Sequence, residues 1–313
     1  MLARMSERAA RLYGAIEAGG TKFECAVARG TDDVVASSRI ATGDPTETFT
    51  AVTRFFETHE QQLGPFSSFG IASFGPLDLD ARSPGFGRML RTPKTGWSHV
   101  DMIGALRPRF TQPVCIDTDV NAAALAESMH ESNRKVRSLV YVTVGTGIGG
   151  GAVLDGETRQ GLWHPEMGHI PIRRHPQDQT FAGVCPFHRD CLEGLSSGPA
   201  IVARWGQPMS ELLRNELACE IIGSYLGQLA VSLVLLLAPE RIVFGGGVIS
   251  DGSLLPYIRS SLQLQLAGYI AHPLLTGSLA DFIVPPALGE RSGIRGAIVL
   301  AVRAANTRHA PGQ

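Results

Sequence analysis

The segment SLVYVTVGTGIGGGAVLDG, Ser138 to Gly156, reads as two β-strands folded back on each other. Ser138–Val144 is an apolar, β-branched run, a glycine turn follows, and Gly150–Leu154 resumes the strand pattern before Asp155-Gly156, a hairpin signal. The same arrangement occurs earlier in the chain. Tyr13–Glu17 and Phe23–Arg29 flank the turn GGTK, and Val34–Ala41 continues the pattern, which predicts an antiparallel meander. Strand, glycine turn, strand at residues 13–29 and again at 138–154 predicts two similar folded halves rather than a solenoid of short repeats.

The segments around these hairpins alternate helix with strand. Asp44, Pro45 and Glu47 supply an N-cap, a first-turn proline and a capping-box partner, after which Phe49, Val52, Phe55 and Phe56 recur at helical spacing as a core stripe. Phe69–Ser73 reads as the next strand and Pro113–Asp117 as a later one, with a capped helix near Asp101 between them. In the second half a long helix over Ser210–Leu237, a strand over Arg241–Phe244, the cluster Gly245-Gly246-Gly247 and a final helix complete the pattern. Alternation of this kind implies an α/β sheet with helices on its faces. Residues 163–191 have weak periodicity and read as a long irregular loop, a type usually functional or tied down.

Composition narrows the function classes. The 313 residues suffice for about two domains. With 44% hydrophobic and 18% charged residues, the chain is neither disordered nor a polyelectrolyte. A net charge of −1, from 28 basic and 29 acidic residues, supplies no global field for nucleic acid or an anionic membrane. The longest nearly continuous apolar run, Leu229–Ala238, is about half of a bilayer span, so no membrane segment is expected. The amino-terminal MLARMSERAARLYGA lacks the apolar segment and cleavage site of a secretory signal and reads as a frayed tail of a cytoplasmic protein. Five cysteines do not suggest a disulfide framework; Cys25, Cys115 and Cys219 read as buried thiols. Glycine is in excess, at 36 residues, and the excess is clustered.

Three glycine clusters are candidate ligand contacts. In EAGGTK, Glu17 to Lys22, two glycines between strands free backbone N–H groups to face an anion, with Thr21 adding a hydroxyl; a plain hairpin turn is the alternative. The spacing is not that of a Walker loop. GTGIGGG, Gly145 to Gly151, contains GxGxxG at Gly145, Gly147 and Gly150, yet a strand follows it, which argues against a dinucleotide fold. Two such turns at matching places predict a cleft that grips one nucleotide. GGGV, Gly245 to Val248, opens onto a predicted helix where adenine and ribose could approach backbone.

In IDTDVNAAALAE, Ile116 to Glu127, a buried strand runs into an alanine-rich helix. Asp119 there is either an N-cap or a general base for a hydroxyl at a strand's carboxyl end. His169, Cys185, His188 and Cys191 form the metal candidate. Two thiolates and two imidazoles can complete a tetrahedral zinc shell, and Cys-x2-His-x2-Cys lets one turn present three of them. Closed to a fifth ligand, such a site is structural, with about 10–16 kcal/mol of binding energy ordering the loop. His164 and His175 compete for the first ligand place. Glu166 and Glu193 would be held beside the metal, ready to accept hydrogen bonds from a polyhydroxylated ligand.

The ordered set EAGGTK, ASFGPLD, IDTDVNAAALAE, VGTGIGGG, PEMGH, CPFHRDCLEGLSSGPAI and FGGGV resembles the ROK family of sugar kinases over roughly residues 13–304, and most closely its bacterial fructokinase branch. The resemblance implies two actin-like (ribonuclease H-like) α/β ATPase lobes with an interlobe active-site cleft and a zinc-bound loop. The small lobe would cover residues 11–118, completed by a C-terminal helix at about 296–310; the large lobe would cover 119–295, with the zinc-binding loop at 163–193. Asp119 matches the catalytic aspartate. Gly19, Gly20, Thr21 and Lys22 match the first phosphate loop, Gly145, Thr146 and Gly147 the second, and Gly245, Gly246 and Gly247 the adenosine side. Glu166, His169 and Glu193 match sugar contacts, with His169 holding zinc through its other nitrogen; Gly75 and Pro76 sit on the sugar-side loop.

The chain departs from the family at Glu17, usually aspartate, at Thr118, commonly asparagine, and in CPFHRDC, where a histidine replaces a cysteine of the usual zinc run. Glu17, CPFH and RTPKTGW together match the fructokinase branch. The implied reaction is transfer of the ATP γ-phosphoryl group to a primary hydroxyl of fructose, with Mg²⁺, by a cytoplasmic homodimer that uses neither nucleic acid nor membrane. The repressor members' DNA-binding domain has no room in the twelve residues before Tyr13. Two alternatives stand: a glucose, mannose or N-acetylhexosamine kinase, or a non-catalytic sugar or nucleotide sensor.

Overall fold

The computed structural model describes residues 11–307. In chain order the elements are β1 (Leu12–Ala18), β2 (Lys22–Ala28), β3 (Val34–Ala41), α1 (Pro45–Leu63), β4 (Phe66–Ser73), β5 (Val114–Thr118), α2 (Asp119–Met129), β6 (Ser138–Val144), β7 (Ile148–Leu154) and β8 (Glu157–Thr158). The short helices α3 (Leu192–Ser196), α4 (Gly198–Trp205) and α5 (Met209–Leu212) follow, then α6 (Glu216–Leu237), β9 (Arg241–Gly245), α7 (Leu255–Leu266), α8 (Pro273–Thr276), β10 (Ile283–Val284) and α9 (Ser292–Thr307). The amino-terminal tail and the end of the expected C-terminal helix range lie outside the described residues.

The strands form two five-stranded sheets, β3-β2-β1-β4-β5 and β8-β7-β6-β9-β10. Each has the same plan. The central strand pairs antiparallel with the strand after the glycine turn, β1 with β2 and β6 with β7, and parallel on its other side, β1 with β4 and β6 with β9. The repeat expected from the two hairpins is thus a repeat of whole sheets.

The described residues divide into two compact units, 11–122 with 293–307, and 123–292. In the first, Asp44 caps α1 by accepting the N–H groups of Thr46 and Glu47, and Phe49, Val52 and Phe56 turn inward onto Phe23, Phe66 and Phe69. Helix α9 lies directly on β4: a Cβ on Gly70 would stand 2.0 Å from the Ala297 carbonyl, and the Ser68 hydroxyl donates to the Ala301 carbonyl. In the second unit α6 is the core helix. Ile222, Tyr225, Leu226 and Leu229 meet Val140, Val142, Ile242 and Phe244 of the sheet and Ile258 and Leu262 of α7.

By length and composition alone α6 could cross a bilayer, with 22 residues and a mean hydropathy of 1.7 over its most apolar window. Over half of that window is buried against the unit's own core, which accounts for its apolar character. This helix is longer and more apolar than the run 229–238 suggested.

Three local expectations are corrected. Near Asp101 there is no helix: Asp101 accepts the Gly104 N–H at 2.6 Å, as a cap would, but residues 102–109 are successive turns, since Gly104 and Pro108 weaken the helical alternative. The helix expected over Ser210–Leu237 is interrupted, because Asn215 accepts the Ala218 N–H at 3.1 Å and caps a fresh helix. The glycines 245–247 open onto turns, and the next helix begins only at Leu255.

Candidate active site

Register gathers the candidate residues of the first unit. Ala18, Ser73 and Thr118 stand level across β1, β4 and β5, three parallel strands ending at one sheet edge. Residues just past those ends therefore emerge together: the turn 19–22, the loop with Gly75 and Pro76, and Asp119. Carboxyl ends of parallel strands are where α/β sheets take ligands.

The turn is closed by the Gly19 N–H donating to the Lys22 carbonyl at 2.9 Å, while Gly20 and Thr21 are exposed and Gly20 has nothing near its Cβ position. Pro76 is fixed through its carbonyl, which accepts the Leu90 N–H at 2.7 Å.

The two readings of Asp119 separate here. Thr118 is the helix cap, its hydroxyl accepting the Asn121 N–H at 3.2 Å, while Asp119 begins α2 and accepts the adjacent Val120 N–H at 2.9 Å. Buried Asp117 holds the cap from behind, taking the Thr118 N–H and the Asn121 amide, each at 2.8 Å. The Asp119 carboxyl retains lone pairs for a ligand and part of its surface in solvent. Burial pushes it up to about 6, against the pull of the Val120 N–H. Glu17, next to last in β1, is pushed up to about 7, first by burial and then by the charges of Asp119 and Glu24; Lys22 and the Ile294 N–H oppose the shift. Both carboxyls are thus poised near neutrality, where a group can exchange a proton with a substrate.

In the second unit, parallel β6 and β9 are paired with Thr143 beside Gly245, so the turn 145–147 and the cluster 245–247 share one edge. Gly246 has φ +91°, and a Cβ there would stand 2.4 Å from the Val144 carbonyl, so only glycine fits. The Gly198 N–H, opening α4, donates to the Gly145 carbonyl at 2.7 Å and braces the turn. Glu193 on α3 accepts the Ile148 N–H at 2.8 Å through Oε2, while its Oε1 lies 3.9 Å from His169 Nε2. Glu166 is half exposed and lies 3.5 Å from His164 Nδ1.

His169, Cys185, His188 and Cys191 converge, with all four ligand atoms within 4.8 Å of one another. His169 Nδ1 stands 3.7 Å from Cys185 Sγ and 3.6 Å from Cys191 Sγ, and His188 Nδ1 stands 3.8 Å from Cys185 Sγ. A tetrahedral zinc with bonds of about 2.0–2.3 Å sets nitrogen and sulfur about 3.6 Å apart, so the donor set and its spacing are compatible with zinc. Burial raises the Cys191 thiol to about 11, with the neighbouring Cys185 adding to the rise, a cost that a bound cation would offset. The two competing histidines are engaged elsewhere: His164 beside Glu166, and His175, whose Nδ1 accepts the Gln177 N–H at 3.3 Å.

A buried anchor behind this loop was not read from the sequence. Asp178 accepts from the Tyr225 hydroxyl at 2.6 Å and pairs with Arg204 at 2.9 Å, and Arg204 donates to the Leu195 carbonyl at 2.9 Å, tying the loop to α3. Its signal would have been an arginine inside an apolar helix, at position 204 of GPAIVARW. Thr42 was missed as well, its N–H and hydroxyl clipped onto the carbonyls of Thr21 and Gly19.

The model of the ROK family matches residues 13–304. A fructokinase of Zymomonas mobilis is 47% identical over 95% of this chain and 98% of its own. A fructokinase of Streptococcus mutans is 39% identical over 94% of this chain and 99% of its own. Among solved structures, a ROK hexokinase from Thermus thermophilus superposes with a TM-score of 0.76 at 25% identity, covering 95% of this chain and 99% of that one.

Proposed function

The chain belongs to the ROK family, and from that membership we propose that it is an ATP-dependent fructokinase, converting ATP and D-fructose to ADP and fructose 6-phosphate. The observation that carries the reading is the common edge at which Gly19, Gly75 and Asp119 leave three level strands. Its support on substrate is the similarity, over nearly the whole chain, to several fructokinases.

Asp119 takes the proton of the fructose primary hydroxyl. The freed oxygen forms its bond to the γ-phosphorus as the bridging P–O bond breaks, and that bond's electron pair leaves on ADP. Gly20, Thr21 and Lys22, in the turn that the Gly19 N–H closes, and Thr146 and Gly147, in the turn that the Gly145 N–H closes onto the Gly147 carbonyl, present backbone N–H groups and side chains to the phosphates. Gly245, Gly246 and Gly247 lie along the adenosine. Gly75, Pro76, Glu166, His169 and Glu193 receive the sugar hydroxyls.

His169 through Nδ1, with Cys185, His188 and Cys191, would hold a structural zinc that supplies a rigid loop for Glu166 and Glu193. Magnesium, a hard cation that prefers oxygen, would arrive with the triphosphate and supply charge neutralisation, with the Glu17 carboxylate as its candidate oxygen ligand. The two units are the small and large lobes of the kinase, and the enzyme works as a cytoplasmic homodimer with no nucleic-acid or membrane partner. The test is ADP release over a panel of hexoses. Fructose should give the highest kcat/KM, with the phosphate on its primary hydroxyl; preference for glucose, mannose or an N-acetylhexosamine would transfer the assignment to that sugar.

A further inference from the structure

We propose that Lys94 is a catalytic cation that contacts the non-bridging oxygens of the nucleotide's terminal phosphoryl group, its ammonium held beside the first glycine turn by the loop 92–98. The proposal rests on the kinase reading and adds to it a residue outside the glycine motifs.

The loop is pinned from within and from below. Thr92 N–H donates to Ser98 Oγ at 3.1 Å, the Ser98 hydroxyl donates to the Thr92 carbonyl at 3.2 Å, Lys94 N–H donates to Thr92 Oγ1 at 3.4 Å, and Trp97 N–H donates to the Lys94 carbonyl at 3.2 Å. Trp97 is fully buried, with Phe23, Phe74 and Phe49 at ring separations of 5.3, 5.6 and 6.1 Å, and its Nε1–H donates to the Gly43 carbonyl at 3.0 Å. Lys94 therefore springs from a fixed backbone, the preorganisation that an electrostatic contact to a reacting group requires.

Its ammonium reaches the Thr42 carbonyl at 3.4 Å. Thr42 is clipped to the glycine turn by two bonds, N–H to the Thr21 carbonyl at 3.0 Å and hydroxyl to the Gly19 carbonyl at 2.8 Å. The charge thus rests on a residue that is fastened to the turn at both Gly19 and Thr21. An ammonium has three donors, and this one, half buried, has a single long bond and no ion pair among the described residues. A partly desolvated cation without an acidic partner is costly until an anion arrives, and the neighbouring turn is built to accept one. Lys22 differs, since its charge acts on the Glu17 carboxyl. In the reaction Lys94 keeps all its protons. It offsets charge on the non-bridging oxygens while the sugar oxygen bonds to phosphorus, the bridging bond's electron pair leaves on ADP and the hydroxyl proton passes to Asp119.

The test uses the full-length protein with Lys94→Met and Lys94→Arg. Fructose turnover is measured alongside calorimetric binding of ADP and of a non-hydrolysable triphosphate analogue. For Lys94→Met we expect kcat lower by about 10²–10³-fold, the loss typical of removing one preorganised charge-stabilising donor. Affinity for the triphosphate should fall about tenfold, the scale of one charge-assisted hydrogen bond. Fructose KM and ADP affinity should stay within about twofold, and Lys94→Arg should recover part of the loss because it keeps the charge. If Lys94→Met melts early, Lys94→Gln carries the same comparison. A kcat within about threefold of wild type, or equal losses for ADP and triphosphate, overturns the proposal while leaving the kinase reading in place. Wild-type protein that turns over no hexose overturns both.

Discussion

Asp119 and Glu17 carry opposite costs in folding and in function. Both titrate above their ordinary range, about 6 for Asp119 and about 7 for Glu17, chiefly because of burial. Between about pH 4 and 7 the folded chain therefore holds more protons on these groups than the unfolded chain, and their contribution to stability falls as pH rises through that window. The cost is absent below the unfolded pKa values and complete above about 7. Asp119→Asn removes its share, so the variant should be more stable than wild type by about 1–3 kcal/mol at pH 8 and no more stable at pH 4. Paired melting curves at the two pH values check this; equal shifts at both would mean that the carboxyl is not desolvated. The candidate base was legible in IDTDVN as an acid at a strand end, but its release from capping was not, because sequence cannot rank Thr118 against Asp119 as the cap. The buried Asp117–Asn121 bond behind Thr118 settles that choice.

The long loop and the terminal helix show how elements are held. Irregular backbone from 159 to 191, relieved by one short turn of 3-10 helix at Met167–His169, is gathered at four ligand atoms and at the Asp178–Arg204–Tyr225 anchor. Chelation of a zinc held there would remove only the first of these. Fructose KM should then rise at least about tenfold, the scale of losing one or two charge-assisted hydrogen bonds, while nucleotide KM stays within about twofold. Increased proteolysis confined to the loop should accompany it, and full fructose affinity after verified metal removal would contradict the role given to the loop. Helix α9 depends on Gly70, where a side chain would collide with helix backbone rather than with a yielding side chain. Gly70→Val should cost at least about 2 kcal/mol, the overpacking range, as read by denaturant unfolding. An unchanged midpoint would show that α9 packs elsewhere. The zinc-type ligands and the loop were legible from Cys-x2-His-x2-Cys. The anchor was not, since its partners are separated by 26 and 47 residues of sequence and no local spacing connects them.

At the scale of the molecule, the duplicated sheet explains why two short glycine hairpins disclose so much. Each marks the central strand of one sheet, and pairing then dictates which strand ends stand beside it. Short-range features between those strands, such as the turns at 102–109 and the break before Asn215, depend on single residues and were read less well. In the proposed reaction the carboxylate at 119 accepts a proton from a fructose hydroxyl while backbone turns hold the nucleotide. The most direct measurement is fructose turnover by Asp119→Asn together with its affinity for ATP. Loss of the base should lower kcat by about 10²–10⁴-fold with nucleotide affinity within about twofold of wild type. Undiminished turnover in a correctly folded Asp119→Asn protein would contradict the account.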